Sequence, residues 1–65
     1  MQMKFIKLTE CYSGKENQMY INVEMIGAMY IQGNRTIIKH LSHNNGGYII
    51  KETPEQIFKL IKQLN

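Results

Sequence analysis

The clearest local signal in the sequence is an amphipathic helix at the C-terminus. Thr53, followed by Pro54 and then by Gln56 three residues after the threonine, forms the pattern of a capping box with proline in the first helical position. The apolar residues that follow recur at spacings of three and four: Ile57, Phe58, Leu60, Ile61 and Leu64. We therefore predict a helix over residues 54–64. A helix this short is unstable alone, so its apolar stripe must dock on the rest of the chain or on a partner.

The residues before this helix fall into short runs separated by turn signals. Gly14, Gly33–Asn34 and Gly46–Gly47 mark the turns, and Asn22 marks a kink. The runs between them predict five strands, over residues 3–9, 19–23, 26–32, 35–41 and 48–51. We expect a turn over residues 12–17, a bulge near Gly27, and local hairpins from one strand to the next.

These elements predict a single α+β domain over residues 1–65. The expected architecture is a small twisted antiparallel sheet, or a partly closed barrel, of about five strands followed by one C-terminal amphipathic helix. A chain of 65 residues buries only about 60% of its unfolded surface, so its core is marginal. A second subunit would compensate for that small core, and we expect a homo-oligomer.

The inventory of reactive side chains argues against an enzyme or a metalloprotein. Cys11 is the one cysteine, which excludes an intrachain disulfide and favours a reducing compartment such as the cytoplasm. Together with His40 and His43 it lacks the spacing of a zinc site. Nothing in the sequence places a base beside the thiol or pairs two carboxylates. We therefore predict no catalytic residue, no cofactor, no metal and no small-molecule substrate.

Membrane segments and secretion signals are not expected either. The longest apolar runs are only a few residues long, far below the roughly 20 that a membrane helix needs. The N-terminal residues have no apolar core of the kind found in a secretory signal. We therefore expect a cytoplasmic protein without a membrane span.

Methionine and aromatic residues supply the first candidate site. Methionine and tyrosine are enriched where proteins touch one another, and five methionines and four tyrosines are many for 65 residues. The predicted interaction residues are Met19, Met25, Met29, Tyr48 and Phe58. The other interpretation is that the methionines fill irregular gaps in a small core. A self-associating, non-enzymatic protein-interaction module is the function we expect.

A second candidate site comes from basic residues in the predicted strands. The net charge is +3, and Lys4, Lys7, Arg35 and Lys39 lie near tyrosines that are also in strands. A basic sheet face with interleaved aromatic rings can hold single-stranded RNA or DNA. Alternatively, the lysines line solvated faces and protect edge strands from aggregation. A small nucleic-acid-binding protein is therefore the alternative function.

Several stretches resemble the FlbD-like small bacterial and phage proteins. Residues 6–9 (Ile-Lys-Leu-Thr), 14–16 (Gly-Lys-Glu) and 20–26 (Tyr-Ile-Asn-Val-Glu-Met-Ile) are similar to the family's first strand, glycine-containing turn, and asparagine followed by an apolar isoleucine. Residues 45–53 (Asn-Gly-Gly-Tyr-Ile-Ile-Lys-Glu-Thr) are similar to its Asn-Gly turn, last strand and helix entry. The resemblance implies a bacterial or phage origin, a β-rich fold and a role in protein interaction.

Overall fold

The computed structural model describes residues 4–42 and 46–64 as one antiparallel sheet followed by a helix. The strands are β1 (Phe5–Tyr12), β2 (Lys15–Asn22), β3 (Ile26–Gln32), β4 (Arg35–His40) and β5 (Tyr48–Ile50), and the helix is α1 (Pro54–Lys62). A short 3-10 turn, Val23–Met25, connects β2 to β3. The predicted α+β class and the five-strand, one-helix order are confirmed. Residue 3, where the first strand was predicted to begin, lies outside the described residues. So do residues 43–45, in the connection between β4 and β5.

The β1–β2 turn is tighter than the sequence suggested. It consists of Ser13 and Gly14 alone, and both have positive φ angles, of 51° and 74°. Positive φ at both central positions is the signature of a type I′ turn, whose twist matches that of the strands it joins. The prediction of a turn over residues 12–17 was therefore wrong, because β1 continues to Tyr12 and β2 begins at Lys15.

The strand order is β2-β1-β5-β4-β3, so the chain does not form hairpins throughout. β2 and β3 lie at opposite edges, and β1 instead pairs with β5, where Glu10 faces Ile50. The expectation of a local β2–β3 hairpin was wrong because Asn22 begins a 3-10 turn rather than a two-residue turn. Its Oδ1 accepts a hydrogen bond from the Glu24 N–H at 3.0 Å, which caps that turn.

The short connection requires the sheet to curl. In a flat five-stranded sheet the two edge strands would be roughly 19 Å apart, at four spacings of about 4.8 Å. The 3-10 turn advances only about 2 Å per residue, so the end of β2 and the start of β3 lie much closer than that. The sheet nevertheless stays open, because no pairing joins β2 to β3 within the described residues.

The strand register divides the sheet into two faces. On the helix face, apolar residues from four strands pack against Ile57 of the helix and form the core with it: Ile6, Leu8, Ile21, Ile38 and Ile50. The other face, which we call the helix-free face, carries the alternate residues of each strand, such as Lys7 opposite Tyr20 and Ile37 opposite Ile49. Ile37 is only 9% exposed there, so both faces of β4 are partly covered. The bulge predicted near Gly27 lies between Ile26 and Ala28.

The helix begins where the sequence indicates. The Gln56 N–H donates to Thr53 Oγ1 at 3.2 Å, and the Thr53 N–H donates to Gln56 Oε1 at 2.9 Å, so both bonds of the capping box are present. The helix ends at Lys62, two residues before the predicted end. Ile57 is fully buried, and Leu60 and Ile61 pack against the core.

Candidate interaction surfaces

The structure places the five predicted interaction residues in two different environments. Met19, Met29 and Tyr48 are half-buried and pack against the core, and Met25 is half-buried in the 3-10 turn. Phe58 is 60% exposed on α1. The methionines therefore act chiefly as core-filling residues, and they do not form an exposed patch together with Phe58.

The most apolar exposed element is the edge strand β3. In the described part of the chain it pairs with β4 on one side only. None of its seven residues, Ile26–Gln32, carries a charge, and Ile31 is 62% exposed on the helix face. Tyr30 is also exposed, on the opposite face. An apolar edge with unpaired backbone groups is a template for pairing with another strand.

The other edge strand, β2, is polar by comparison. It carries Lys15 and Glu16, and its first four residues, Lys-Glu-Asn-Gln, are all exposed. Charged side chains on an edge discourage strand addition. The two edges of the sheet therefore differ in their capacity to pair, and β3 is the edge that lacks this protection.

The helix-free face gathers most of the predicted basic residues. Lys7 lies on β1 opposite Tyr20, whereas Arg35 and Lys39 lie on β4 opposite Gln32 and Ala28. Lys7 alternates along β1 with the buried Ile6 and Leu8. Arg35 and Lys39 alternate along β4 with the buried Thr36 and Ile38, so all three basic residues lie on the helix-free face. Lys4 precedes β1, and its carbonyl accepts the Val23 N–H at 2.9 Å. The alternation that puts Ile6 and Leu8 on the helix face puts Lys4 on that face too, so it is not part of this set.

Lys51 adds a fourth cation that the sequence analysis missed. Its backbone N–H donates to the Thr9 carbonyl at 2.9 Å, which continues the sheet one residue beyond β5. Its ammonium lies 3.3 Å from the Glu16 carboxylate in an exposed ion pair. The alternation of Ile49 and Lys51 along the strand was the signal that could have placed this residue on the same face.

The remaining acidic residue near this face is already engaged. Glu52 accepts hydrogen bonds from the Thr9 N–H at 2.8 Å and from the Thr9 hydroxyl at 3.0 Å. Glu10 faces the buried Ile50 and so belongs to the helix face. Because Thr9 is neutral, Glu52 keeps its charge. Among the described residues, the helix-free face therefore has four cations, Lys7, Arg35, Lys39 and Lys51, against the carboxylates of Glu16 and Glu52.

Cys11 lines a depression on the same side of the sheet. The depression has a volume of about 360 Å³, and Glu16, Arg35 and Ile49 also line it. The described residues that line it include no histidine. His40 lies on β4 with its Nδ1 2.7 Å from the Ser42 hydroxyl. Over residues 4–42 and 46–64, no group of three or more His, Cys, Asp or Glu side chains could hold a metal ion.

No family model, curated protein or solved structure matches this chain. Within the described ranges, no helix is long and apolar enough to cross a membrane.

Proposed function

We propose that this protein is a small, non-enzymatic interaction module that self-associates by pairing the β3 edge of one copy with the β3 edge of another. The observation that carries this proposal is the uncharged, exposed β3 edge, beside a β2 edge that is charged. The FlbD-like resemblance also implies protein interaction, and it remains a prediction.

The length of the pairing segment follows from the limits of β3. The bulge at Gly27 disturbs the start of the strand, and the turn at Gly33 ends it. The regular stretch is therefore residues 28–32, with Tyr30 at its centre. A two-fold axis at Tyr30 pairs the whole stretch in antiparallel register and makes the two halves of the interface identical.

In this register Ile31 of one copy lies opposite Met29 of the second copy on the helix face. Pairing therefore covers the exposed Ile31 side chain and extends the apolar core across the junction. A five-residue edge is a small interface, so we expect a weak dimer, with a dissociation constant in roughly the micromolar to millimolar range.

A charge on the β3 edge tests the proposal. Ile31→Lys places two lysines at diagonal positions of the strand pair across the two-fold axis, with their Cα atoms roughly 7–8 Å apart, so their like charges oppose pairing. Because Ile31 is largely exposed, the monomer should keep its fold. The control is Gln18→Lys, which adds the same charge to an exposed position of the β2 edge.

Sedimentation equilibrium over a concentration series is the measurement. We expect the wild-type and Gln18→Lys proteins to shift from 7.6 kDa toward twice that mass, and the Ile31→Lys protein to stay monomeric. A wild-type protein that stays monomeric at millimolar concentration contradicts the proposal. The proposal is also contradicted if the Ile31→Lys protein still forms the dimer and the Phe58→Ser protein does not, since that result places the contact on the helix.

A further inference from the structure

We propose that the helix-free face binds single-stranded nucleic acid. The proposal is independent of self-association, because it concerns the face of the sheet rather than its edge. It rests on four cations, two exposed tyrosine rings and a depression that the strand register brings to the same face.

The positions of the cations are the first argument. Lys7, Arg35 and Lys39 lie on β1 and β4, and Lys51 directly follows β5. These three strands are the interior strands of the sheet. Lysines that protect a sheet from aggregation belong on its edges, so edge protection does not account for this set.

The cations also form a continuous path across the sheet. The register that pairs Thr36 with Ile50 places Arg35 beside Lys51. Lys51 in turn lies beside Thr9, two residues along β1 from Lys7 and on the same face. Neighbouring strands are about 4.8 Å apart and alternate residues about 6.8 Å apart, so each of these steps is under about 10 Å. Lys51 is paired with Glu16 at 3.3 Å, but both side chains are largely exposed, so a phosphate can replace that carboxylate at little cost. A polyanionic backbone that crosses the strands then contacts Lys7, Lys51 and Arg35 in turn.

Aromatic rings lie at both ends of this path. Tyr20 is 66% exposed and lies directly opposite Lys7, and Phe5 is exposed on the same face two residues before Lys7. Tyr30 is exposed on the same face at the opposite edge of the sheet, on β3, where it pairs with Ile37 of β4. Exposed rings beside cations let bases stack while the phosphates are neutralised, and stacking tolerates any base. An acidic peptide would use the cations but not the flat rings.

The depression beside Arg35 gives the path a concave element. The depression has a volume of about 360 Å³ and is lined by Cys11, Glu16, Arg35 and Ile49, together with Lys15 at the start of β2. A base placed against Ile49 would have the Arg35 guanidinium within reach. Guanidinium groups stack on bases and bind phosphate, so either contact is available.

The test is fluorescence anisotropy with labelled single-stranded U12 and dT12 and a duplex of the same length. Lys7→Ala/Arg35→Ala removes two charges from the path. The matched control, Lys59→Ala/Lys62→Ala, removes two charges from the exposed side of α1. We expect the first pair to weaken binding to a single strand at least tenfold and the control less than threefold. Tyr20→Ala should weaken binding about fivefold or more.

Salt dependence gives a second readout. With three phosphates neutralised, raising the salt from 50 to 200 mM should weaken single-strand binding roughly 20-fold. Binding of either U12 or dT12 with these losses supports the proposal. Equal losses of affinity for the two double variants, or tighter binding to the duplex than to the single strands, overturn it. Full competition by polyglutamate at matched charge also overturns it, because that result identifies an acidic-peptide site.

The monomeric Ile31→Lys protein separates this proposal from the previous one. If that variant binds U12 as the wild type does, the face acts without the dimer. If wild type forms dimers and no variant or salt condition shows single-strand binding, the face proposal fails and the edge proposal stands.

Discussion

Replacing Ile57 by alanine should remove a large part of the stability of this domain. A domain of 65 residues has roughly 3–10 kcal/mol of stability in total, at about 0.05–0.15 kcal/mol per residue. Ile57 is 0% exposed and belongs to the core cluster, where it joins α1 to the sheet. Truncating a buried isoleucine to alanine costs about 2–5 kcal/mol, because the lost burial is accompanied by a cavity.

Urea denaturation followed by far-UV circular dichroism measures this loss. The matched control is Phe58→Ala, one residue along the same helix, where the side chain is largely exposed and the expected loss is below about 1 kcal/mol. If Ile57→Ala is unfolded in buffer, Ile57→Val provides a measurable step of about 0.5–1.5 kcal/mol. An equal or larger loss for Phe58→Ala would refute the proposed docking of the helix.

Two further predictions concern local structure. Thr53→Ala removes the hydroxyl that accepts the Gln56 N–H and should lower the free energy of unfolding by about 0.5–2 kcal/mol, and a thermal melt showing no decrease in Tm contradicts the capping role. Ser13→Asn should stabilise the β1–β2 turn by a few tenths of a kcal/mol to about 1 kcal/mol, because asparagine tolerates positive φ better than serine. Gly14→Ala should be destabilising by about 1 kcal/mol, because alanine disfavours the φ of 74° even though its Cβ would meet no other atom. Equal urea midpoints for the Ser13→Asn and Gly14→Ala proteins would refute the type I′ assignment.

The sequence predicted those features that depend on neighbouring residues. The capping box at Thr53, the kink at Asn22 and the bulge near Gly27 all follow from chemistry within a few positions. The β1–β5 pairing could not be predicted in the same way, because it joins Glu10 to a residue forty positions away. Nothing local distinguishes that pairing from a β2–β3 hairpin, and the outcome depends on which arrangement covers the core.

The same difference between local and long-range information applies to the candidate sites. Alternation within each strand shows that Arg35 and Lys39 share a face, but only the register across β5 adds Lys7 and Lys51 to it. The exposure of Ile31 could not be read from its sequence, since an isoleucine in an apolar strand looks like a core residue until the strand is known to lie at an edge.

Concentration-dependent hydrogen exchange at β3 tests the central proposal most directly. Edge pairing protects those backbone amides of residues 28–32 that point away from β4 and have no strand partner among the described residues, and it leaves the β2 edge unchanged. The proposal predicts that exchange of these β3 amides slows as protein concentration rises, while exchange along residues 15–18 stays constant. A β3 edge that exchanges at the same rate at every concentration, in a sample whose mass shows a dimer, would contradict it.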